Sequence, residues 1–318
     1  MQHCLGIEST AHTFGAAVVS YKGDILSNER AVFKNQTGMI PREVAQHHEK
    51  VASAVLKAAL KELPEISLVS FSAGPGLAPC LRVGMRIAKE IAQRNSCKMV
   101  GVNHCVAHLT IGQLVCKMKH PVFLYVSGAN TQVICRGGDF FRIVGETLDI
   151  GLGNALDKFG RFAGLGFPAG PAIEKLAKEG KYVSLPYSVK GMDVSFSGLI
   201  TKAQSLLKTE RMADICFSLQ ETCFAMLAEV AERALAHAQK NELLLIGGVG
   251  ANKRLCNMLE SMCKQRSSRF AAAPIDLAGD QGAMIAWQGV LQKDQATDPE
   301  EQDIRPRERT DQIRVTWH

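Results

Sequence analysis

Apolar and polar positions along the 318 residues fall into a pattern that occurs twice. Cys4–Ile7, Gly15–Val19 and Ile25–Phe33 are apolar runs separated by a polar turn, Glu8–Thr13, and a hairpin turn at Lys22-Gly23-Asp24. That spacing predicts a three-strand meander. A stretch opening with Pro41, with Val44, Val51, Val55, Ala59 and Leu63 on one face, predicts a helix stopped by Pro64. Ser67–Phe71 is apolar enough to be a buried strand. It ends in the tight turn Gly74-Pro75-Gly76, and a helix is expected from about Leu81 to Asn95. A strand at Met99–Val102 then runs into a helix carrying His104 and His108, and Pro121 closes the unit.

The second round has the same order. Val122–Ser127, Gln132–Arg136 and Phe140–Leu148 predict a second meander, with turns at Gly128–Thr131 and Gly137-Gly138-Asp139. Leu243–Ile246 followed by Gly247-Gly248-Val249-Gly250 mirrors Val69 to Gly76. A helix at Lys253–Gln265, a weak strand near Phe270 and a helix led by Gly279-Asp280-Gln281-Gly282 complete the copy. Residues 149–240 read as an insertion. It holds a helix at Asn154–Ala163, a loop at Gly164–Pro171, a short helix at Glu174–Glu179 and a second loop at Asp193–Gly198. Its longest helical pattern runs from Ala213 to about Lys240, with Ile215, Leu219, Met226, Val230 and Leu235 on its apolar stripe. The tail from Lys293 is charged and aperiodic, which predicts an exposed extension that folds onto a partner or the other lobe. The whole implies an α/β protein of two lobes, 1–120 and 121–318, with ligands at the carboxyl ends of strands, in the crevice between units.

Two histidines four apart lie on one helical face, the usual first half of a metal site. The zinc-protease signature has the same spacing, but Cys105 stands where its general base would be. The competing account is a pair of histidines satisfied in a core. Asp280 occupies in the second copy the place of His104 in the first. Facing it across the cleft, Asp280 would supply a third, oxygen ligand. Tyr125 either adds a phenolate or simply packs. Three small-residue turns, Glu8–Thr13, Ser127–Thr131 and Gly247–Asn252, each follow a strand and could turn backbone N–H groups toward an anion. Asp157 and Glu174, beside glycine loops, are candidates for ribose hydroxyls or are solvated helix charges. Glu8 is the best-placed acidic side chain for a general base, and otherwise a structural carboxylate.

Composition narrows this only a little. Hydrophobic content of 46% and charged content of 21% suit a globular chain, and no apolar run is long enough to span a bilayer. The ten cysteines lack paired spacing, and the first residues lack a basic, cleavable leader, so a cytoplasmic, reducing setting is expected. A net charge of +6 is compatible with RNA without requiring it. Neither a P-loop nor the zinc deaminase pattern is present.

Six motifs in order then resemble the TsaD/OSGEP family of tRNA threonylcarbamoyl transferases, in the archaeal and eukaryotic form found in the KEOPS complex. They are Gly6-Ile7-Glu8-Ser9-Thr10-Ala11-His12-Thr13, Asn103-His104-Cys105-Val106-Ala107-His108, Tyr125-Val126-Ser127-Gly128-Ala129-Asn130-Thr131, Asp193-Val194-Ser195-Phe196-Ser197-Gly198, Gly247-Gly248-Val249-Gly250-Ala251-Asn252 and Gly279-Asp280-Gln281-Gly282-Ala283-Met284. The likeness extends to Arg305-Pro306-Arg307, and Ser9 stands where relatives often carry glycine. It implies the duplicated ASKHA fold of actin, sugar kinases and heat-shock ATPases. It also implies metal ligands at His104, His108, Tyr125 and Asp280. Substrate or nucleotide contacts would fall at Tyr125, Val126, Ser127, Gly128, Ala129, Asp157, Gly170, Glu174 and Asn252. The implied reaction moves a threonylcarbamoyl group from threonylcarbamoyl-AMP to N6 of the adenosine beside the anticodon in tRNAs reading ANN codons. One divalent ion is implied, Fe2+ ahead of Zn2+, since two imidazoles with oxygen ligands suit either. Implied partners are tRNA and the KEOPS subunits: a small atypical protein kinase with ATPase activity, a small dimerising subunit and a kinase-binding subunit. The rivals are an ASKHA phosphotransferase using Mg2+, which would not need the histidines, and a non-catalytic RNA-binding subunit.

Overall fold

Along the first strand, Leu5 and Ile7 face one side of a sheet and Cys4, Gly6 and Glu8 the other, because a strand alternates its side chains. Both sides are covered, which is why the strand reads as one apolar run rather than as alternating. The computed structural model describes residues 2–34, 40–61 and 65–317. The chain forms two compact units, Met1–Leu114 with Gly279–His318, and Val115–Ala278. Among the described residues the strands make two five-stranded sheets and a two-stranded ribbon.

In the first unit β1 (His3–Glu8), β2 (Thr13–Ser20) and β3 (Ile25–Val32) form the antiparallel meander, followed by α1 (Pro41–Ala59). Next come β4 (Leu68–Gly74), α2 (Ala78–Arg94), β5 (Lys98–Asn103) and α3 (His104–Cys116). The sheet order is β3-β2-β1-β4-β5, with β1, β4 and β5 parallel. Leu63 and Pro64, expected to end α1, lie outside the described residues. α2 starts at Ala78 rather than Leu81, because Pro79 takes a first-turn position where its missing N–H is not needed.

The second unit repeats the plan with β6 (Val122–Val126), β7 (Thr131–Gly137) and β8 (Phe140–Glu146). The insertion follows as α4 (Leu152–Phe162), α5 (Gly170–Ala177), the ribbon β9 (Val189–Lys190) and β10 (Asp193–Val194), α6 (Ser197–Leu206) and α7 (Met212–His237). α5 begins at Gly170 rather than Glu174, again with a proline, Pro171, in its first turn. β11 (Glu242–Ile246), α8 (Lys253–Gln265), β12 (Arg269–Ala272) and the short α9 (Ile275–Ala278) close the unit. Its sheet order, β12-β11-β6-β7-β8, matches the first sheet strand for strand. The predicted stripe of α7 (Ile215, Leu219, Met226, Val230, Leu235) is buried in this unit's core.

The last helix, α10 (Gly282–Leu291), departs from a division at 120/121. Ala283, Met284, Ile285 and Ala286 are all buried, so the helix has no solvent stripe and needs cover on every side. It packs on β1, β2 and β4 of the first sheet, sharing a core with Cys4, Ala17, Val19 and Ala107. Gly6 permits this. A Cβ there would lie 2.2 Å from the Ala286 nitrogen and 2.4 Å from the Gly282 oxygen. Both are backbone atoms, so no rotamer change relieves the clash. Gly6→Ala is therefore expected to cost about 3 kcal/mol or more. A urea denaturation midpoint equal to that of the parent would show that α10 is not held against β1 in this way.

No helix among the described residues is long and apolar enough to cross a membrane. All ten cysteines are free, and seven are buried, including Cys105, which burial pushes up to about 12.

Candidate metal centre

β5 passes directly into α3, so the first helical residue, His104, sits at the carboxyl end of a parallel strand. One turn later comes His108. The two rings lie 4.8 Å apart between centroids and nearly perpendicular. α3 buries every residue from His104 to Gly112. Asp280 is positioned by the start of α10, where the Gln281 side chain caps the helix by accepting from the Met284 N–H at 3.0 Å. Asp280 Oδ1 is 3.2 Å from His108 Nε2 and 3.6 Å from His104 Nε2. One donor atom from each of the three residues falls within 4.8 Å of the others. All three belong to the first unit. The expected facing of the two copies across a cleft is thus not what joins Asp280 to the histidines. It joins them because α10 packs on the first sheet.

Glu8 ends β1 on the same face. It is fully buried, and both oxygens are engaged. Oε1 accepts from the Thr10 backbone N–H at 2.6 Å and from its hydroxyl at 2.5 Å. Oε2 accepts from His104 Nδ1 at 2.9 Å. A carboxylate holding one imidazole nitrogen leaves the other turned outward as a lone-pair donor, the usual arrangement behind a metal-ligating histidine. The donor set therefore fits a divalent ion: two imidazoles, one carboxylate, and a buried acid fixing the tautomer of one ligand.

The electrostatics agree. Burial alone would lower the His104 imidazole, but the Glu8 and Asp280 carboxylates outweigh it and push it up to about 9. For His108 burial prevails and keeps the ring below its ordinary value. Burial opposes ionisation of Asp280, yet the two imidazoles hold it well below the usual carboxylate range. Two neighbours escaped sequence reasoning as parts of the centre. Thr10 also reaches His104 Nδ1 at 3.3 Å, and His12 Nδ1 lies 3.8 Å from Asp280 Oδ2. Their only signal was membership of the polar turn after β1.

The remaining candidates lie in the second unit. Tyr125 is buried in β6 beside Ile246 of β11. After it, the turn Ser127–Ala129 seats the start of α4. The Ser127 and Gly128 carbonyls accept from the Gly153 and Asn154 N–H groups at 3.1 and 3.0 Å. These helix-end donors are thus used within the fold. Asp157 Oδ1 accepts from the Ala169 N–H at 2.7 Å, next to Gly170 at the head of α5. Burial raises the Asp157 carboxyl. Glu174, one turn along α5, accepts from the Lys253 N–H at 3.0 Å. Asn252 caps α8, accepting from Arg254 N at 2.9 Å, and donates to Gln220 Oε1 at 3.1 Å. The structure thus links Asp157, Gly170, Glu174 and Asn252 through α4, α5 and α8.

The duplicated α/β fold, with an imidazole–carboxylate cluster at a strand end that could hold a metal ion, is that of the ASKHA class. The solved structure of HypF from T. kodakarensis superposes with a TM-score of 0.64, covering 92% of this chain and 48% of that one at 14% identity. Component A of the (R)-2-hydroxyglutaryl-CoA dehydratase of Acidaminococcus fermentans gives 0.55, over 91% and 98% of the two chains at 12% identity. These likenesses show the ASKHA fold. The family profile for tRNA N6-adenosine threonylcarbamoyltransferase matches residues 22–287. A protein of that name from Archaeoglobus fulgidus is 48% identical over 98% of this chain and 99% of its own length. One from Thermococcus sibiricus is 47% identical over 98% and 99%. A probable bifunctional tRNA threonylcarbamoyladenosine biosynthesis protein from Methanocorpusculum labreanum is 51% identical, and this chain spans 60% of its length. The chain belongs to the tRNA N6-adenosine threonylcarbamoyltransferase family.

Proposed function

We propose that the chain transfers the threonylcarbamoyl group of threonylcarbamoyl-AMP to the N6 amine of the adenosine beside the anticodon of tRNAs reading ANN codons. The observation that carries the site reading is the cluster of His104, His108 and Asp280, with Glu8 fixing the His104 tautomer. In the transfer, the N6 lone pair attacks the carbamoyl carbonyl carbon, the bond from that carbon to the phosphate oxygen breaks, and AMP leaves with the electron pair. The amine gives up one proton to solvent water or to the phosphate of the departing AMP. His104, His108 and Asp280 would hold a divalent ion. Fe2+ suits this mixed nitrogen and oxygen set, and Zn2+ is the alternative. When bound, the ion supplies Lewis acidity toward a carbonyl or phosphoryl oxygen.

This chain's residues do the positioning. Ser127 to Ala129, Asp157, Gly170, Glu174 and Asn252 form the adenylate side, and orientation of amine against carbonyl is a large part of the rate. With both oxygens occupied and no exposure, Glu8 is suited to orient His104 rather than to take the amine proton. The target base must leave its stack to be reached, as single-stranded RNA readers require. The KEOPS subunits named above are the partners this reading expects, in a cytoplasmic setting.

The test is transfer of labelled threonine into unmodified tRNA, with the partner subunits and an enzyme making threonylcarbamoyl-AMP. A His104→Ala/His108→Ala double variant runs in parallel. Label in tRNA that falls below about 1% of parent in a folded double variant is the expected result, since losing the ligands removes the ion and its effect together. No label with the parent chain in a complete system would sink the transferase reading. Label that survives the double substitution would make the histidines structural.

A further inference from the structure

The segment after α10, expected as an exposed extension that folds onto a partner or the other lobe, belongs to the first unit and is strapped along the open edge of its sheet. β5 is an edge strand, and bare edges are normally covered. Met99 and Thr297 exchange backbone hydrogen bonds at 3.0 Å each. The Gln302 side chain accepts from the Gly101 N–H at 2.9 Å and donates to the Met99 carbonyl at 3.3 Å. The Arg305 N–H donates to the Ala73 carbonyl at 2.6 Å, and its guanidinium to the Gly101 carbonyl at 2.8 Å. Gly74 permits this approach, because a Cβ there would sit 1.9 Å from the Arg305 oxygen.

The strap ends on the residue before the first metal-ligand candidate. Asn103 Oδ1 accepts from the Val106 N–H at 3.1 Å and so caps α3. Its Nδ2 donates to Glu308 Oε2 at 3.1 Å and, at the longer distance of 3.4 Å, to the Glu308 backbone carbonyl. Glu308 Oε1 is held in turn by Arg305 Nε. A carboxylate can only accept here, so it fixes the amide with nitrogen toward the strap and oxygen toward the helix. Two residues further on, Thr310 is hydrogen-bonded to the Cys105 thiol.

We propose that Glu308 is a positioning residue for the metal centre: through Asn103 it sets the first turn of α3, and with it His104. This rests on the metal reading given above. Comparable supporting contacts behind metal ligands are worth about 10- to 100-fold in affinity. Glu308→Ala should weaken Co2+ binding, followed by titration calorimetry of the full chain, by that factor. Glu308→Gln retains an accepting oxygen and should recover much of it. Gln302→Ala cuts the strap farther from Asn103, so it should lower the melting temperature with affinity within about twofold of parent. A second readout does not depend on metal. Amide hydrogen exchange at residues 104–108 should quicken about tenfold in Glu308→Ala, as for a lost cap, and stay unchanged in Gln302→Ala. Parent protein that binds no Co2+ overturns the metal reading, and the exchange result then decides the strap alone. Unchanged exchange in Glu308→Ala, or equal losses of affinity in Glu308→Ala and Gln302→Ala, overturns the proposal. If Glu308→Ala does not fold, Glu308→Gln must show the same losses in smaller degree, and parent-like values in it overturn the proposal as well.

Discussion

Asp280→Ala is expected to weaken divalent-metal binding by more than about a hundredfold, because it removes a donor where changes behind the donors already cost 10- to 100-fold. Its Oδ1 is the atom that both outward-facing imidazole nitrogens share, at 3.2 and 3.6 Å. Asp280 is the one carboxylate among the cluster's three donors, so the two imidazoles left without it give an ion too few ligands and no negative charge. Asp280→Asn should fall between the two, since an amide oxygen can still coordinate but carries no charge. The variant also leaves His104 with one carboxylate instead of two. Breaking a buried pair typically costs about 3–5 kcal/mol. The surviving Glu8 contact should keep the loss in metal-free protein below that range. Calorimetric titration with Co2+, beside a denaturation curve, separates the two effects. An Asp280→Ala protein that binds metal as the parent does would remove Asp280 from the centre.

What could be read from the sequence was whatever has a period. The two meanders, the paired parallel strands and the α7 stripe repeat at 2 or 3.6 residues, and each appears in the structure where its pattern places it. The His104–His108 pair is also periodic, being one helical turn apart. The partners of that pair are not. Glu8 lies 96 residues from His104, and the bond between them follows from β1 and β5 flanking β4. Nothing local in Glu8 distinguishes a free acid from one with both oxygens taken. Asp280 was singled out by its place in the repeat. Its companions are set instead by an all-round apolar helix that finds cover on the first sheet. That the segment after α10 folds back was expected, but its path along β5 was opaque, because side-chain-to-backbone contacts such as Gln302 to Gly101 leave no periodic trace. Helix starts at Ala78 and Gly170 were missed where a proline in the first turn was read as loop.

Metal affinity should rise with pH, by about tenfold per unit, from neutral pH up to about 9. In metal-free protein the His104 imidazole stays protonated until about 9, because Glu8 and Asp280 favour the cation despite its burial. An ion must displace that proton, so every pH unit below 9 costs it a factor of ten. The other donors do not compete across this window: burial keeps His108 neutral, and the imidazoles keep Asp280 ionised. Stability of the metal-free protein runs the opposite way. A histidine whose folded value is raised contributes stability that is complete below its unfolded value of 6.5 and is lost as pH rises through 9. Over that window the loss is about 3 kcal/mol. The metal-free protein should therefore melt lower at pH 9 than at pH 6.5, while the stabilisation gained at fixed Co2+ grows over the same range. Melting curves with and without metal at four or five pH values would show the two lines diverging. Parallel lines would mean that His104 is already neutral, and that Glu8 does not hold it charged.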